Sequence, residues 1–333
     1  MKKFLIIQTA SIGDVVLATP IVEKLHQHFP DSEIDFLLRK GNEGLLEGHP
    51  LLGRVLSWDK KNHKLLNLWR LLFIMRKTKY DKVINVQRFA STGVLTAFSG
   101  AKETIGFDKN PFSFLFTKKI KHVIGSEKNS RHEIERNAEL VESFTDKAVL
   151  KPRLYPAIND EEKVYAYQGR AYITISPASL WFTKQYPKEK WIEFINGIPV
   201  QYTIYLLGAA ADFSLGEEIK NKANRPVTNL SGKLSFLQSA ALMKRAAMNY
   251  VNDSAAMHFA SAVNAPVTVV YCSTVPWFGF GPLSDKTEIV EIRDKLSCRP
   301  CSLHGRKACP LGHFNCAHKI EVSQLLATLP ALS

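Results

Sequence analysis

No Gly-x-Gly-x-x-Gly run and no Walker loop occurs in this 333-residue chain, which argues against a dinucleotide oxidoreductase and against an NTPase. Asp-x-Asp is missing as well. Glu33-Ile34-Asp35 comes nearest, but it lies inside an apolar run that reads as a strand. No uninterrupted apolar stretch approaches the roughly 18 residues of a membrane span. Lys2 and Lys3 before Phe4-Leu5-Ile6-Ile7 imitate a signal peptide, yet the run stops at Gln8-Thr9, short of the roughly seven residues a signal core needs. The expectation is a cytoplasmic protein.

Acidic residues are also in short supply. Thirty-one Asp and Glu face 44 Lys and Arg, a net charge of +13. Between Asp59 and Lys82 there are eight Lys/Arg against two Asp. Interleaved with them runs Leu65-Leu66-Asn67-Leu68-Trp69-Arg70-Leu71-Leu72-Phe73-Ile74-Met75, which on a helix is apolar nearly all round. One reading is a core helix with solvated basic ends. The other is a basic, apolar surface that docks on an anionic membrane. Nucleic acid is the other usual partner of such charge, but no recognition motif for it is present.

Cysteine is sparse until the tail, where Cys298, Cys301, Cys309 and Cys316 crowd together. Cys-x-x-Cys followed by two more cysteines makes a structural zinc candidate, although the later spacings form no second Cys-x-x-Cys. The alternative is a cysteine-bearing loop without metal.

Apolar content of 45% with 23% charged residues belongs to a soluble globular protein, and 333 residues fit two domains better than one core. In the first half, strands are expected at Lys3–Ile7, Glu33–Leu38, Arg54–Trp58, Lys82–Val86 and Glu103–Gly106. Helical patterns fall at Val15–His28, Leu65–Lys77, Thr92–Phe98 and His132–Phe144. A polar, proline-bearing stretch from Thr145 to Glu162 reads as a linker. Strands then resume at Ala171–Ser176, Tyr202–Leu207, Asn249–Asn252 and Val267–Tyr271. Helices are expected at Lys188–Ile195, Phe213–Ala223, Ser235–Lys244 and Ser254–Val263, with another at Glu321–Leu329. Two successive α/β alternations predict two Rossmann-like lobes facing across a cleft.

Chemistry concentrates where strands run into helices. Ser11-Ile12-Gly13-Asp14 follows the first strand and opens a helix. Asp14 is most simply an N-cap. Its alternative is a general base, a role that suits a carboxylate beside the positive end of a helix. Far downstream, Val251-Asn252-Asp253-Ser254-Ala255-Ala256-Met257-His258 repeats the strand-turn-helix arrangement with small residues at the turn. Free N–H groups there bind anions such as pyrophosphate, which leaves Asp253 to accept from sugar hydroxyls and His258 to donate to a phosphate or sugar. The plain alternative is a capped helix with a buried histidine. Ser176-Pro177-Ala178-Ser179 ends a strand, and Lys184 beyond it could neutralise phosphate or simply be a solvated loop lysine.

These motifs together resemble glycosyltransferase family 9, the ADP-heptose:lipopolysaccharide heptosyltransferases. Ser-x-Gly-Asp with Ala18-Thr19-Pro20 resembles the family's opening motif, and Asn252-Asp253-Ser254 with Met257-His258 and Ala260 its donor-site motif. Lys184 with Tyr186-Pro187, Gly208 to Asp212, and Asn229-Leu230-Ser231-Gly232-Lys233 fall between them in the expected order. The tail with Cys298, Cys301 and Cys309-Pro310 also looks familial.

The resemblance implies a GT-B architecture. Residues 1–158 would form an acceptor-binding lobe and 159–318 a nucleotide-sugar lobe, with a C-terminal helix at 319–333 packing back toward the first lobe. It implies an inverting heptose transfer from ADP-heptose to a Kdo/heptose-lipid A inner-core acceptor. Asp14 is then the base, with Ser11 and Gly13 in the acceptor-side loop. Ser179, Lys184, Asp212, Leu234, Asp253, Ser254, Ala255, Ala256 and His258 would contact the donor. No cofactor and no active-site metal are expected, the ADP-sugar being a substrate. The partners implied are the lipid A-linked oligosaccharide and the anionic cytoplasmic face of the inner membrane, and no nucleic acid. Three departures stand out: Ala255 replaces a usual glycine, Ser176-Pro177-Ala178 a histidine-proline-glycine loop, and Asp212 a glutamate. Two other readings are a GT-B-like nucleotide-sugar epimerase and a non-catalytic nucleotide- or nucleic-acid-binding protein.

Overall fold

Strand β1 (Lys3–Ile7) is almost wholly apolar because it is buried on both faces of a parallel sheet. The computed structural model describes residues 1–331, and the last two positions of the expected C-terminal segment lie outside the described residues. After β1 the chain continues through α1 (Ile12–His28), β2 (Glu33–Arg39), β3 (Arg54–Trp58), α2 (Lys64–Thr78), β4 (Lys82–Asn85) and α3 (Ala90–Ala97). It then passes through β5 (Glu103–Phe107), β6 (Lys118–Ile120) and α4 (Glu133–Glu142). The six strands are all parallel, in the order β3-β2-β1-β4-β5-β6. That is the doubly wound Rossmann order, and the direction of winding reverses between β1 and β4.

Helix α1 carries Pro20 in its interior, where a proline leaves the carbonyl of Val16 without its helical N–H donor. The Thr19 hydroxyl takes over, donating to that carbonyl at 2.8 Å. Asn137 on α4 donates to the next carbonyl, Leu17, at 3.1 Å. Lys24, buried on the same helix, donates to the carbonyls of Asp146 and Ala148 and pairs with the Asp146 carboxylate at 2.8 Å. Much of the expected linker is therefore fastened to the first unit, which ends at Tyr155.

The second unit, Pro156–Ser333, repeats the plan. It opens with α5 (Ile158–Tyr165), a helix inside the supposed linker, and continues through β7 (Tyr172–Ser176), α6 (Lys188–Gly197), β8 (Thr203–Leu206) and α7 (Phe213–Lys222). There follow β9 (Thr228–Asn229), α8 (Phe236–Lys244), β10 (Met248–Asn252), α9 (Ala255–Ala262), β11 (Val267–Tyr271) and β12 (Thr287–Glu291). Short helices α10 (Asn315–His318) and α11 (Val322–Leu326) close it. Its sheet runs β12-β11-β10-β7-β8-β9, again parallel throughout, with the reversal between β7 and β10. Helix α11 buries Val322 and Leu325 in the core that also holds Trp191, Phe194 and Tyr250. Leu326 packs on Gly197 of α6, so this closing helix is part of the second unit's own core.

Helix α2 departs from the reading of an apolar core helix. Only Leu68, Leu71, Leu72 and Met75 are buried, packing with Trp58, Tyr80 and Val83. At about 1.5–3 kcal/mol per buried side chain, this one face suffices to hold the helix. Leu65, Leu66, Trp69 and Phe73 point into solvent. Among the described residues no helix is long and apolar enough to cross a membrane.

Candidate active site

In open α/β sheets, ligands bind beyond the carboxyl ends of the strands where the winding reverses. Asp14 sits at that position in the first unit. It is not the N-cap: Ser11 is, and Asp14 occupies the third helical position of a capping box. Its carboxylate accepts from the Ser11 backbone N–H at 3.0 Å and from the Ser11 hydroxyl at 2.5 Å. The helix starts early enough to include Ile12 and Gly13, the latter buried under the turn.

Charged groups gather near Asp14 that sequence reasoning missed. Glu133, buried at the start of α4, receives the Arg136 guanidinium, whose Nε donates at 2.8 Å. Burial pushes the Glu133 carboxyl up, Arg136 draws it back, and the negative charge of Asp14 adds to the upward push. Arg88, in the loop after β4, also acts on Glu133. The nearby β4 loop is fixed by Gln87, which donates to Gln8, and by Asn110, which donates to the carbonyls of Gln87 and Phe89 at 3.1 Å each. By contrast, Asp35 of the near-miss Glu33-Ile34-Asp35 is fully buried, where it accepts from Arg54 at 2.6 Å and from Tyr80. It is a structural carboxylate.

In the second unit the loops after β7 and β10 meet. Lys184, at the end of a 3-10 turn, places its ammonium 2.7 Å from the Asp253 carboxylate, with 15% and 8% of the two side chains exposed. The same Asp253 oxygen accepts from the Thr274 hydroxyl at 2.6 Å. Lys184 is thus no solvated loop lysine. Asn252 stitches the loops together, accepting from the Tyr186 N–H at 2.9 Å and donating to the Pro177 carbonyl at 2.7 Å. Thr183 is tied to Ser273, hydroxyl to hydroxyl, at 2.9 Å. Ser273 and Thr274 were absent from the sequence reading, although a small polar pair just past the buried strand β11 was the available signal.

Ser254 is the N-cap of α9, yet its side chain makes no capping hydrogen bond. The N–H groups at Ala255 and Ala256 therefore begin the helix at partly exposed small residues, with His258 buried one turn on. Asp212 lies at the neighbouring sheet position after β8, where its carboxylate accepts from the Ala209 N–H at 2.8 Å. Facing it is the loop after β9, in which Gly232 has a positive φ of +74° and donates its N–H to the Gly208 carbonyl at 2.9 Å. Leu234 follows at a partly exposed position, and Ser179, also partly exposed, accepts through its carbonyl from Gln185 at 2.6 Å.

The tail cysteines leave two readings open in the sequence, a structural zinc candidate and a metal-free loop. Among the described residues no three His, Cys, Asp or Glu side chains are arranged to hold a metal ion. Cys316 is buried on α10 within the apolar core, where burial pushes its thiol up to about 12. Cys301 turns its sulfur to the Cys298 carbonyl at 3.2 Å.

Two Rossmann-like units, each with charged and small residues at the winding reversal of its parallel sheet, define an α/β protein of the two-unit, doubly wound class. The family model for "Glycosyltransferase family 9 (heptosyltransferase)" matches residues 68–311. Lipopolysaccharide heptosyltransferase 3 of Escherichia coli is 26% identical over 277 residues, covering 79% of this chain and 81% of that protein. Escherichia coli ADP-heptose lps heptosyltransferase II superimposes with a TM-score of 0.80 at 20% identity, over 98% of this chain and 97% of its own. Escherichia coli heptosyltransferase WaaC, solved with ADP, gives 0.74 at 19% identity, over 98% of each chain.

The chain belongs to glycosyltransferase family 9, the heptosyltransferases, and is an enzyme of the glycosyltransferase class. The matched span takes in Lys184, Asp212, Asp253 and His258, while Asp14 lies before it.

Proposed function

We propose that the protein moves a heptose from ADP-heptose onto the lipid A-linked inner core of lipopolysaccharide, with inversion at the anomeric carbon. The relatives named for that activity, and the one solved with ADP, support the choice of donor and acceptor. The observation that carries the reading is the union of Lys184, Asp253 and an uncapped helix start at one winding reversal. A cation, free N–H groups and a hydroxyl-accepting carboxylate in one place suit a sugar diphosphate.

In this reading the phosphates lie against the N–H groups of Ala255 and Ala256, with Ser254 and His258 donating and Lys184 offsetting charge. Asp253 accepts from sugar hydroxyls. Ser179, Asp212 and Leu234 line the remainder of the donor site. Asp14 takes the proton of an acceptor hydroxyl as that oxygen bonds to the anomeric carbon. The bond from the anomeric carbon to the β-phosphate oxygen breaks, and ADP departs with the electron pair. Ser11, bound to Asp14, orients the base, and Gly13 leaves room beside it. The amino-terminal unit is the acceptor lobe and the carboxy-terminal unit the donor lobe. The reaction uses no cofactor, and its acceptor places the enzyme at the cytoplasmic face of the inner membrane.

The test is incubation with ADP-heptose and a graded series of truncated lipid A acceptors in the presence of chelator, with product mass recorded. One added heptosyl unit on one acceptor of the series is the expected result. Hydrolysis or epimerisation of the donor without transfer to any acceptor would overturn the assignment.

A further inference from the structure

Helix α2 presents two apolar faces, and only one of them has a partner. Leu68, Leu71, Leu72 and Met75 are spent on the core. Leu65, Trp69 and Phe73 follow one another at a spacing of four, with Leu66 beside them, so all four share the outer face. Their exposures are 71%, 67%, 69% and 69%, respectively. Large side chains so bare and so contiguous mark an interaction surface rather than scattered surface residues.

Charge says what the surface meets. From Lys60 to Lys79 there are seven Lys/Arg and no acid. Lys61, Lys64, Arg70, Arg76, Lys77 and Lys79 are exposed, and none of them joins an ion pair among the described residues. Two copies of this face would set like charge against like, which disfavours self-association. An apolar strip flanked by unneutralised cations has the composition of a helix that lies in the headgroup region of a bilayer.

We infer that the outer face of α2 docks the protein on an anionic lipid surface, with Leu65, Leu66, Trp69 and Phe73 entering the acyl boundary and the flanking cations meeting lipid phosphates. This deepens the reading of a lipid-linked acceptor and rests on it for its purpose, while the contact itself is tested without sugar chemistry.

The experiment compares co-sedimentation of the full chain with vesicles of phosphatidylcholine alone and of phosphatidylcholine mixed with phosphatidylglycerol. Binding is expected only to the anionic vesicles, falling as salt rises. Trp69→Ser combined with Phe73→Ser should weaken partitioning about tenfold or more, as should Arg70→Glu combined with Lys77→Glu. Both variants alter exposed positions, and circular dichroism checks that they fold. Transfer to a water-soluble truncated acceptor should persist in both, so its loss in the parent protein would count against the sugar-transfer reading alone. Equal binding to neutral vesicles, or binding indifferent to both substitutions, would overturn the docking inference. So would a concentration-dependent dimer that Trp69→Ser with Phe73→Ser abolishes while vesicles bind neither form.

Discussion

The ammonium of Lys184 lies 2.7 Å from the carboxylate of Asp253, and the two residues come from loops on either side of the winding reversal in the second sheet. Each neutralises the other in a setting where neither is well solvated. In the proposed donor role, an incoming diphosphate would share the lysine with this aspartate, and the pair would then set both the stability of the unit and its affinity for donor.

Replacing Lys184 by Met should leave Asp253 with only the Thr274 hydroxyl, costing about 1–3 kcal/mol by urea denaturation. ADP affinity, read by calorimetry, should fall as well. Adding Asp253→Asn should restore most of the stability but none of the affinity. If the double variant were no more stable than the single one, the pair would not be coupled.

Asp14→Asn keeps an oxygen that can accept from Ser11 but removes the proposed proton acceptor. Turnover should drop about 10²–10⁴-fold. The loss of capping charge should cost no more than about 1 kcal/mol. Donor binding should be unchanged. Steady-state rates beside a melting curve check this, and a variant that turns over normally would remove Asp14 from the chemistry.

Gly232→Ala tests the loop that faces Asp212. At φ +74° a side chain is strained, and the new Cβ would sit 2.7 Å from the backbone of Ala210. A loss of more than about 1 kcal/mol is expected. The donor KM should rise more than kcat falls, because the loop after β8 must shift.

Acid should destabilise the first unit before carboxylates titrate. Burial lowers His49 and His122 to about 4 each, with Arg88 and Arg136 adding to the shift at His122. Both are neutral when folded and take up protons on unfolding below about pH 6.5. The stability they contribute is complete above that pH and is lost as pH falls toward about 4, by at most about 3 kcal/mol each. Urea denaturation across this window should show the slope, and His122→Phe should flatten it.

Much of the fold was legible because buried parallel strands announce themselves as short apolar runs, as in Phe4–Ile7 and Val267–Tyr271. The strands that escaped notice are edge strands or short ones. Lys118–Ile120, Thr228–Asn229 and Thr287–Glu291 are polar because one side of each faces no neighbour. Helix α5 hid behind Asn159-Asp160-Glu161-Glu162, a polar run that is also what a linker looks like.

The candidate site was legible at its strand-to-helix turns and hidden in its pairings. Nothing local connects Lys184 to Asp253 or Glu133 to Asp14; the sheet order does that. The cysteine spacing suggested a metal, and only packing reveals Cys316 as core. Hydrophobicity likewise counted Trp69 and Leu72 as equals, although one faces solvent and the other Trp58's cluster.

Helix α9 begins without a hydroxyl seal, whereas α1 and α8 each carry a complete box. A bound nucleotide would finish what the chain leaves undone, so the substrate becomes part of the architecture. Heat resistance and protease resistance of the second unit should therefore climb with donor concentration, making the melting temperature a gauge of how full the enzyme is.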